Sequence, residues 1–281
     1  MFLHTRVRAS TMSIDTPAHG YLDGQKIAAV DLAPLAFAGF AHFTAMQVRG
    51  GLVRGVDLHL DRLRTASTLL FGQAQPDERV RAYIGSAIAA NAGDLSLTVT
   101  MFSRNGEFTS RGAADDPGVF ISTSSPFSGP AGPLRLMPVT YDRPLAAIKH
   151  TGEMAKTHYL RQAVAQGYDD AAFIDNRGCI SEGTIWNVAF WDGEAVVWPE
   201  ADMLSGVTMQ IIQRQLQKSG VPQRSQPIKA ADVQHFSGAA VMNSWTPGVA
   251  VSALGDAQIP LSKRFIDLLH HAYGMEPALA F

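Results

Sequence analysis

The stretch CISEGTIWNV, residues 179–188, carries one carboxylate, Glu182, between Ser181 and Gly183 in a run that is otherwise apolar or small. A charge in a strand-like run is costly to bury unless a neighbour keeps it ionised and hydrogen-bonded, so Glu182 calls for a positive partner. Lysines are scarce: Lys26, Lys149, Lys156, Lys218, Lys229 and Lys263 are the whole set. Lys149 follows the apolar PLAAI, read as the end of a strand, and precedes His150. In that setting a lysine either snorkels to the surface or loses hydration and becomes an amine able to form a Schiff base with a carbonyl compound. Lys156 falls within MAKTH of the next helix, a position suited to solvent.

A second chemistry is anion binding. The run MLSGVTMQIIQRQLQKSG puts Ser205, Gly206, Val207 and Thr208 at the start of an amphipathic helix, where unpaired amides and the helix dipole favour a phosphate. Ordinary N-capping by Ser205 is the alternative. Arg62 either answers the same phosphate with a two-pronged, charge-assisted contact or pairs with Asp61 on its own helix. Asn243, Ser244, Trp245 and Thr246 form a small polar turn that either completes an anion cradle or is a plain turn. There is no Walker loop, no G-x-G-x-x-G, no H-E-x-x-H and no G-x-S-x-G elbow, and the adjacent His270 and His271 point in different directions on a helix. No metal site is expected.

The elements that must position these residues are readable in outline. FTAMQV and LVRGV alternate as strands about a Gly50-Gly51 turn, followed by a helix capped by Asp57 and ended by Gly72. DERVRAYIGSAIAANAG reads as a helix, and LSLTVTMFS and GVFISTSS as strands, giving an antiparallel sheet with two helices over the first 120 or so residues. Prolines and glycines interrupt every period in SSPFSGPAGP. That segment divides a domain of residues 1–123 from a domain of residues 134–281 across a linker of 124–133. Beyond it come a strand in LRLMPVTYD, a helix in EMAKTHYLRQAVAQG, two strands in DAAFIDNRGCISEG, a hairpin in IWNVAFWDGEAVVWP, the helix ended by Gly220 and a strand in AAVMNSWTPGVAV. Strands and helices intermix without a regular βαβ period, which indicates an α+β chain of two mixed domains rather than a doubly wound sheet.

With 281 residues, 46% hydrophobic and 17% charged, the chain is long and apolar enough for one large core or two smaller ones. A net charge of −2 and the lack of a long basic run argue against nucleic acid and anionic membranes as partners. The one cysteine, Cys179, excludes an internal disulfide framework and suits a reducing, cytoplasmic setting, where it acts as a small buried hydrophobe. The first eleven residues fit no pattern in the rest, which makes Met12 a candidate start, and LAPLAFAGFA is too short to span a bilayer.

In their order, FTAMQVRGGLVRGVDLHLDRL, IKHTGEM, GYDDAAFIDNRGCISEGTIWNVAFWDG, SGVTMQII and MNSWTPGVAV resemble the fold-type IV pyridoxal-phosphate enzymes. These are the branched-chain and D-amino acid aminotransferases and 4-amino-4-deoxychorismate lyase, and the resemblance runs from about Phe43 to Val251. It implies a D-amino acid aminotransferase-like fold, with a small α/β domain and a larger mixed β-barrel-like domain. It implies pyridoxal 5'-phosphate bound to Lys149 as a Schiff base, Lys149 as the proton shuttle, and Glu182 facing the pyridine nitrogen, with Ser181 and Gly183 as small neighbours of the ring. Arg62, Gly206, Val207, Thr208 and Ser244 fall at its phosphate-binding positions. Thr44, Gln47, Arg104 and Trp245 are substrate-contact candidates, beside His42, Arg111 and the hairpin residues Arg49 and Arg54. A homodimer is implied too. The reaction implied is transfer of an amino group from an amino acid or amine to a 2-oxo acid; the alternative is lyase-type elimination of pyruvate, toward which FTAMQV, IKH and NSWTPGVAV lean. The chain departs from the pattern in LAPLAFAGFAH, where the family has an acidic, Gly-rich approach, in Ala45, and in Glu153 and Met154, where branched-chain enzymes carry a tyrosine.

Overall fold

The computed structural model describes residues 19–27, 35–36, 38–108 and 116–281; the candidate start at Met12 and Arg111 lie outside them. The first sheet is built from β1 (His19–Leu22), β2 (Gln25–Lys26), β3 (Ala41–Val48), β5 (Leu95–Phe102) and β6 (Gly118–Ser124), in the order β2-β1-β6-β5-β3 and antiparallel throughout. The Gly50-Gly51 turn forms as its glycines predict: both take positive φ, 56° and 76°, and Arg49 and Leu52 exchange backbone hydrogen bonds across it. The returning strand β4 is only Val53–Arg54. Alternation along β3 buries His42, Thr44, Met46 and Val48 on one face and leaves Phe43, Ala45 and Gln47 half-buried on the other.

Helix α1 (Val56–Phe71) lies against the buried face through Val56, His59, Leu60, Leu63, Ala66, Ser67 and Phe71, a helical stripe. Its N-cap is Gly55 in the left-handed region, not Asp57, which sits in the first turn and pairs with Arg214. A Cβ on Gly55 would stand 2.7 Å from Ile211 Cδ1, so the bare backbone lets α1 start directly against a helix of the second sheet. Helix α2 (Asp77–Ala89) completes the first core with Val80 and Ile84, which joins Leu97, Val99 and Ile121.

The second sheet is mixed. It contains β7 (Leu134–Thr140), β8 (Asp170–Ile174), β9 (Ile180–Gly183), β10 (Asn187–Trp191), β11 (Val196–Pro199), β12 (Gln223–Gln226), β13 (Gly238–Asn243) and β14 (Thr246–Leu254). Their order is β12-β11-β10-β13-β14-β7-β8-β9, with the short β15 (Ala257–Gln258) beside β14. Parallel pairs join β11 to β12, β14 to β7 and β7 to β8. The first and last parts of this path bend back together, and Gly183 N–H donates to Trp186 O at 2.8 Å. Strands β8 to β11 are buried at every residue because both faces are covered. Trp186, Val188, Phe190, Val241 and Val251 fill one side. Helices α4 (Val207–Lys218) and α5 (Lys263–Gly274) cover the other with Met209, Ile212, Leu216, Phe265 and Leu269. Helix α3 (Met154–Ala165) packs on β8 through Ala163, beside Phe173.

The sequence reading lacks β1, β2, β12, β15, α5 and the tail strand β16 (Ala278–Leu279), and takes β13 and β14 as one strand. The tail leaves the second sheet, pairs with β4 and places Phe281 against the first core, so residues 134–281 do not all belong to one half of the molecule.

Candidate active site

The chain around Lys149 is stitched to the first sheet. Phe43 N–H donates to Lys149 O at 2.8 Å, Thr151 N–H donates to Ala41 O at 2.9 Å, and His42 and His150 form an antiparallel bridge. The apolar PLAAI before it is a turn, not the strand its composition suggests, because Arg143 gathers the carbonyls of Ala146 and Ile148 and curls the segment around itself. Lys149 Nζ lies 4.7 Å from the centroid of the Phe43 ring. Burial, then the charges of Arg62 and Lys156, push its amine down to about 7, against the opposing pull of Glu182 and Glu153. A large share is therefore the neutral, nucleophilic amine near neutral pH. Behind the seam, His42 is fully buried, stacks on Phe71, bonds Ser67 Oγ at 2.8 Å and is lowered to about 3 by burial.

Glu182 is 3% exposed, and its positive partner within the protein is Arg143, whose Nε donates to Oε1 at 2.5 Å. This amends the idea that a bound ring alone answers Glu182. The other oxygen accepts a long bond from Leu204 N–H, 3.4 Å. Strand alternation turns Ser181 and Gly183 to the face opposite Glu182. There Ser181 donates to Phe173 O, and a Cβ on Gly183 would stand 3.2 Å from Ala171 O, so both are small for packing against β8. Glu153 Oε1 gathers Arg143 Nη1 at 3.3 Å, Lys156 Nζ at 3.4 Å and His150 Nε2 at 3.7 Å. Its Oε2 is buried without a hydrogen-bond partner. Lys156 is 8% exposed, contrary to the solvent position expected of it.

Across from this cluster stands the start of α4. Its N-cap is Gly206, and no side chain caps it, so Ser205 is not the cap. Ser205 instead offers its carbonyl to Arg62 Nη2, 2.8 Å away. A Cβ on Gly206 would come within 1.9 Å of Asn187 Oδ1, whose Nδ2 holds Leu204 O at 2.6 Å; only glycine leaves this approach to the helix open. Thr208 Oγ1 donates to Asn243 O at 2.8 Å, bringing the 243–246 turn and half-buried Ser244 over the helix start. Arg62 has no ion-pair partner among the described residues, since Asp61 pairs with Arg64 instead, and burial lowers it to about 10. A half-buried guanidinium beside uncapped helix amides is the donor set that an anion needs.

The substrate candidates separate. Thr44 Oγ1 bonds His59 Nδ1 at 2.7 Å inside the first core, behind the strand and away from Lys149. Gln47 is tied to Ser96, Arg49 and Phe127 N, and Arg49 also reaches Phe127 O. Arg54 lies over the Tyr273 ring beside the tail. Arg104 bridges Asp23 at 2.5 Å, remote from the Lys149 cluster in its bonding. Trp245 packs edge-on to Phe127, 4.9 Å, and Trp186, 6.0 Å. Arg143 is the functional residue the sequence reading missed. Its signal was the unanswered acid Glu182, but nothing in YDRPLAAIKH marks which arginine returns to it.

Fold and site together define a class. The chain superposes on branched-chain aminotransferases from Thermoproteus uzoniensis with TM-score 0.81, 17% identity and coverage of 92% of this chain and 94% of that one, and from Escherichia coli with 0.80, 16%, 92% and 94%. A putative 4-amino-4-deoxychorismate lyase from Legionella pneumophila follows with TM-score 0.75, 19% identity, 85% of this chain and 92% of that one. At such identities the likeness establishes the two-sheet α+β fold expected from the resemblance. The profile of the amino-transferase class IV family matches residues 41–254, and the chain belongs to that family. Probable branched-chain-amino-acid aminotransferases of Rickettsia felis and Rickettsia typhi are each 30% identical over 112 and 117 residues, in both cases 40% of this chain. Those matches span 37% and 41% of the relatives, so the shared stretch is about two fifths of their length.

Proposed function

We propose that this chain is a pyridoxal-phosphate-dependent aminotransferase that moves an amino group between an amino acid or amine and a 2-oxo acid. The observation that carries the reading is Arg62, a half-buried cation without an ion-pair partner among the described residues, bonded to the segment that opens an uncapped helix and acting by its charge on the depressed amine of Lys149. Pyridoxal phosphate is an anion joined to an aldehyde, and the donor set fits both ends. Arg62, the Gly206–Thr208 amides and the Ser244 turn would hold the phosphate, and Glu182 would hold a proton on the ring nitrogen. The bound ring supplies an electron sink for the substrate's α-carbon.

The chain's own residues do the rest. Lys149, in good part a neutral amine, would be the nucleophile that holds the cofactor through its aldehyde, and, once released from it, the base at Nζ that takes a proton from the substrate's α-carbon and gives it back. Arg143 fixes Glu182 in place through a charge-assisted bond. Trp245 and Gln47, both of which meet Phe127, would contact a substrate, whereas Thr44 is turned to His59 inside the core. A homodimer, a cytoplasmic location and small-molecule partners without nucleic acid or membrane belong to the same reading. In support of the last, no helix among the described residues is long and apolar enough to cross a membrane.

Adding pyridoxal phosphate and reducing with borohydride tests the reading. The cofactor is expected to become covalently fixed at Lys149 in the wild type, and fixation surviving in Lys149→Ala overturns the assignment. The lean of FTAMQV, IKH and NSWTPGVAV keeps lyase chemistry as the second reading. Release of pyruvate and 4-aminobenzoate from aminodeoxychorismate selects it, while conversion of a 2-oxo acid to an amino acid without pyruvate release selects the aminotransferase.

A further inference from the structure

The two halves of the anion site ride on different cores. Arg62 stands on α1, which packs on the first sheet, while the Gly206–Thr208 amides open α4, which packs on the second. The contact between these helices is narrow. Gly55, without a side chain, lies against Ile211 and Val207, and beside that point a cleft of about 480 Å³ opens, lined by Leu58, Gln210, Gln213 and Arg214. A close approach at one point leaves a helix free to swing about it, so the angle must be set by ties on either side. Arg62 Nη2 donates to Ser205 O at 2.8 Å, and Arg214 of α4 forks over Asp57 in the first turn of α1, Nη1 to Oδ2 at 2.7 Å and Nη2 to Oδ1 at 3.4 Å. Such a two-pronged pair fixes orientation as well as distance.

We propose that Arg214 is a positioning residue of the anion site: clamped between Asp57 of α1 and Glu276 of the tail, it sets the angle at which α1 meets α4 and so holds the Arg62 guanidinium beside the α4 amides. The inference rests on the reading of Arg62 and the α4 start as the phosphate site. Arg214 is itself anchored, because Nη2 also donates to Glu276 Oε1 while Gln215 Nε2 donates to Glu276 Oε2. Glu276 is buried and leads into β16, which pairs with β4 just before α1 begins. The clamp therefore grips both the first turn of α1 and the chain that enters it. Arg214 stands about 12 Å along α4 from Gly206, and its charge is taken up by two carboxylates, so it reaches a phosphate through the placing of Arg62 and not by attraction. Helix α1 carries the effect as a rigid rod: Asp57 and Arg62 are about 7.5 Å apart along its axis.

The test titrates inorganic phosphate calorimetrically into the full chain before any pyridoxal phosphate is added, with urea midpoints measured on the same samples. Its sign separates positioning from attraction. Asp57→Asn removes a negative charge, so attraction alone would leave phosphate binding unchanged or tighter, whereas loss of the clamp is expected to weaken it by about fivefold, the most that one partly exposed ion pair transmits. Arg214→Gln is expected to weaken it at least as much, and the double variant no more than Arg214→Gln alone, because the two residues act as one tie. The urea midpoint of Asp57→Asn is expected to stay near the wild type, since Asp57 is exposed and the pair contributes little to stability. That variant also covers the case in which Arg214→Gln, by leaving Glu276 unpaired, does not fold. Phosphate bound by Asp57→Asn as tightly as by the wild type or more tightly, or an affinity loss matched by a fall in its urea midpoint, overturns the proposal. Arg62→Met reports separately on the underlying reading: wild-type phosphate affinity in that variant dismisses the anion site itself, whereas loss there with unchanged binding in Asp57→Asn dismisses the clamp alone.

Discussion

The two ends of the site differ in how completely the protein answers its own charges. At the Glu182 end, Arg143, Glu153, Lys156 and Glu182 are linked by ion pairs between 2.5 and 3.4 Å, with one buried oxygen, Glu153 Oε2, left over. At the α4 end, Arg62 has a carbonyl and, among the described residues, no carboxylate, and the helix begins without a side-chain cap. Charges paired with one another fix geometry, and a cation left unpaired beside open amides can bind an anion. The contrast therefore separates residues that hold the chemistry in place from residues that wait for an anion.

The sharpest way to break the contrast is at its paired end. Glu182→Gln keeps the shape but removes the charge that Arg143 and a ring nitrogen share, and turnover is expected to fall by about 1,000-fold, a loss of electrostatic stabilisation of the usual size for one preorganised group. Borohydride fixation at Lys149 should persist; steady-state rates and fixation measured on the same sample check it, and unchanged turnover returns Glu182 to a structural acid. At the other end, Arg62→Met is expected to weaken phosphate and pyridoxal phosphate binding by roughly 10- to 100-fold, the worth of one charge-assisted pair. Without ligand the same variant should be no less stable in urea than the wild type, because a half-buried charge with no ion-pair partner among the described residues is removed. A marked loss of stability would show that the guanidinium is satisfied internally and erase the difference between the ends.

The smallest effect sharpens what stands behind each end. His42 backs the Lys149 seam and His59, lowered to about 3 by burial first and Arg62 second, backs the α1 side. Their folded values lie below the ordinary 6.5, so the unfolded chain takes up protons that the folded chain refuses. Stability is then full above pH 6.5 and lost as pH falls toward 3, at about 1.4 kcal/mol per pH unit for each histidine. Urea melts from pH 7 to 4.5 should show this slope, halved when His59 is replaced by Gln.

The site was legible where one residue type announces a need. The bare acid Glu182, the scarce lysines and the SGVT helix start are visible in one dimension, as is the alternation of β3 about Gly50-Gly51. What the sequence concealed depends on meetings across the fold. Asp57 looked like a cap because its side chain suits one, yet Gly55 takes that place so that α1 can abut Ile211. PLAAI looked like a strand because it is apolar, yet Arg143 curls it into a turn. Lys156 looked solvated because a lysine in the helix MAKTH suits water, whereas the fold buries it and pairs it with Glu153.

The return of β16 to β4 has a consequence for the order in which the molecule is made. Phe281 closes the first core beside α2, where Arg81 lies over its ring, and Glu276 joins Arg214 and Gln215 of α4. A nascent chain emerging from the ribosome in sequence order therefore builds the first sheet early but cannot seal it until residues 276–281 arrive, after the whole second sheet has been synthesised. The ties that the tail makes to β4, α2 and α4 are therefore the last to form, and they join the two sheets after both have been made.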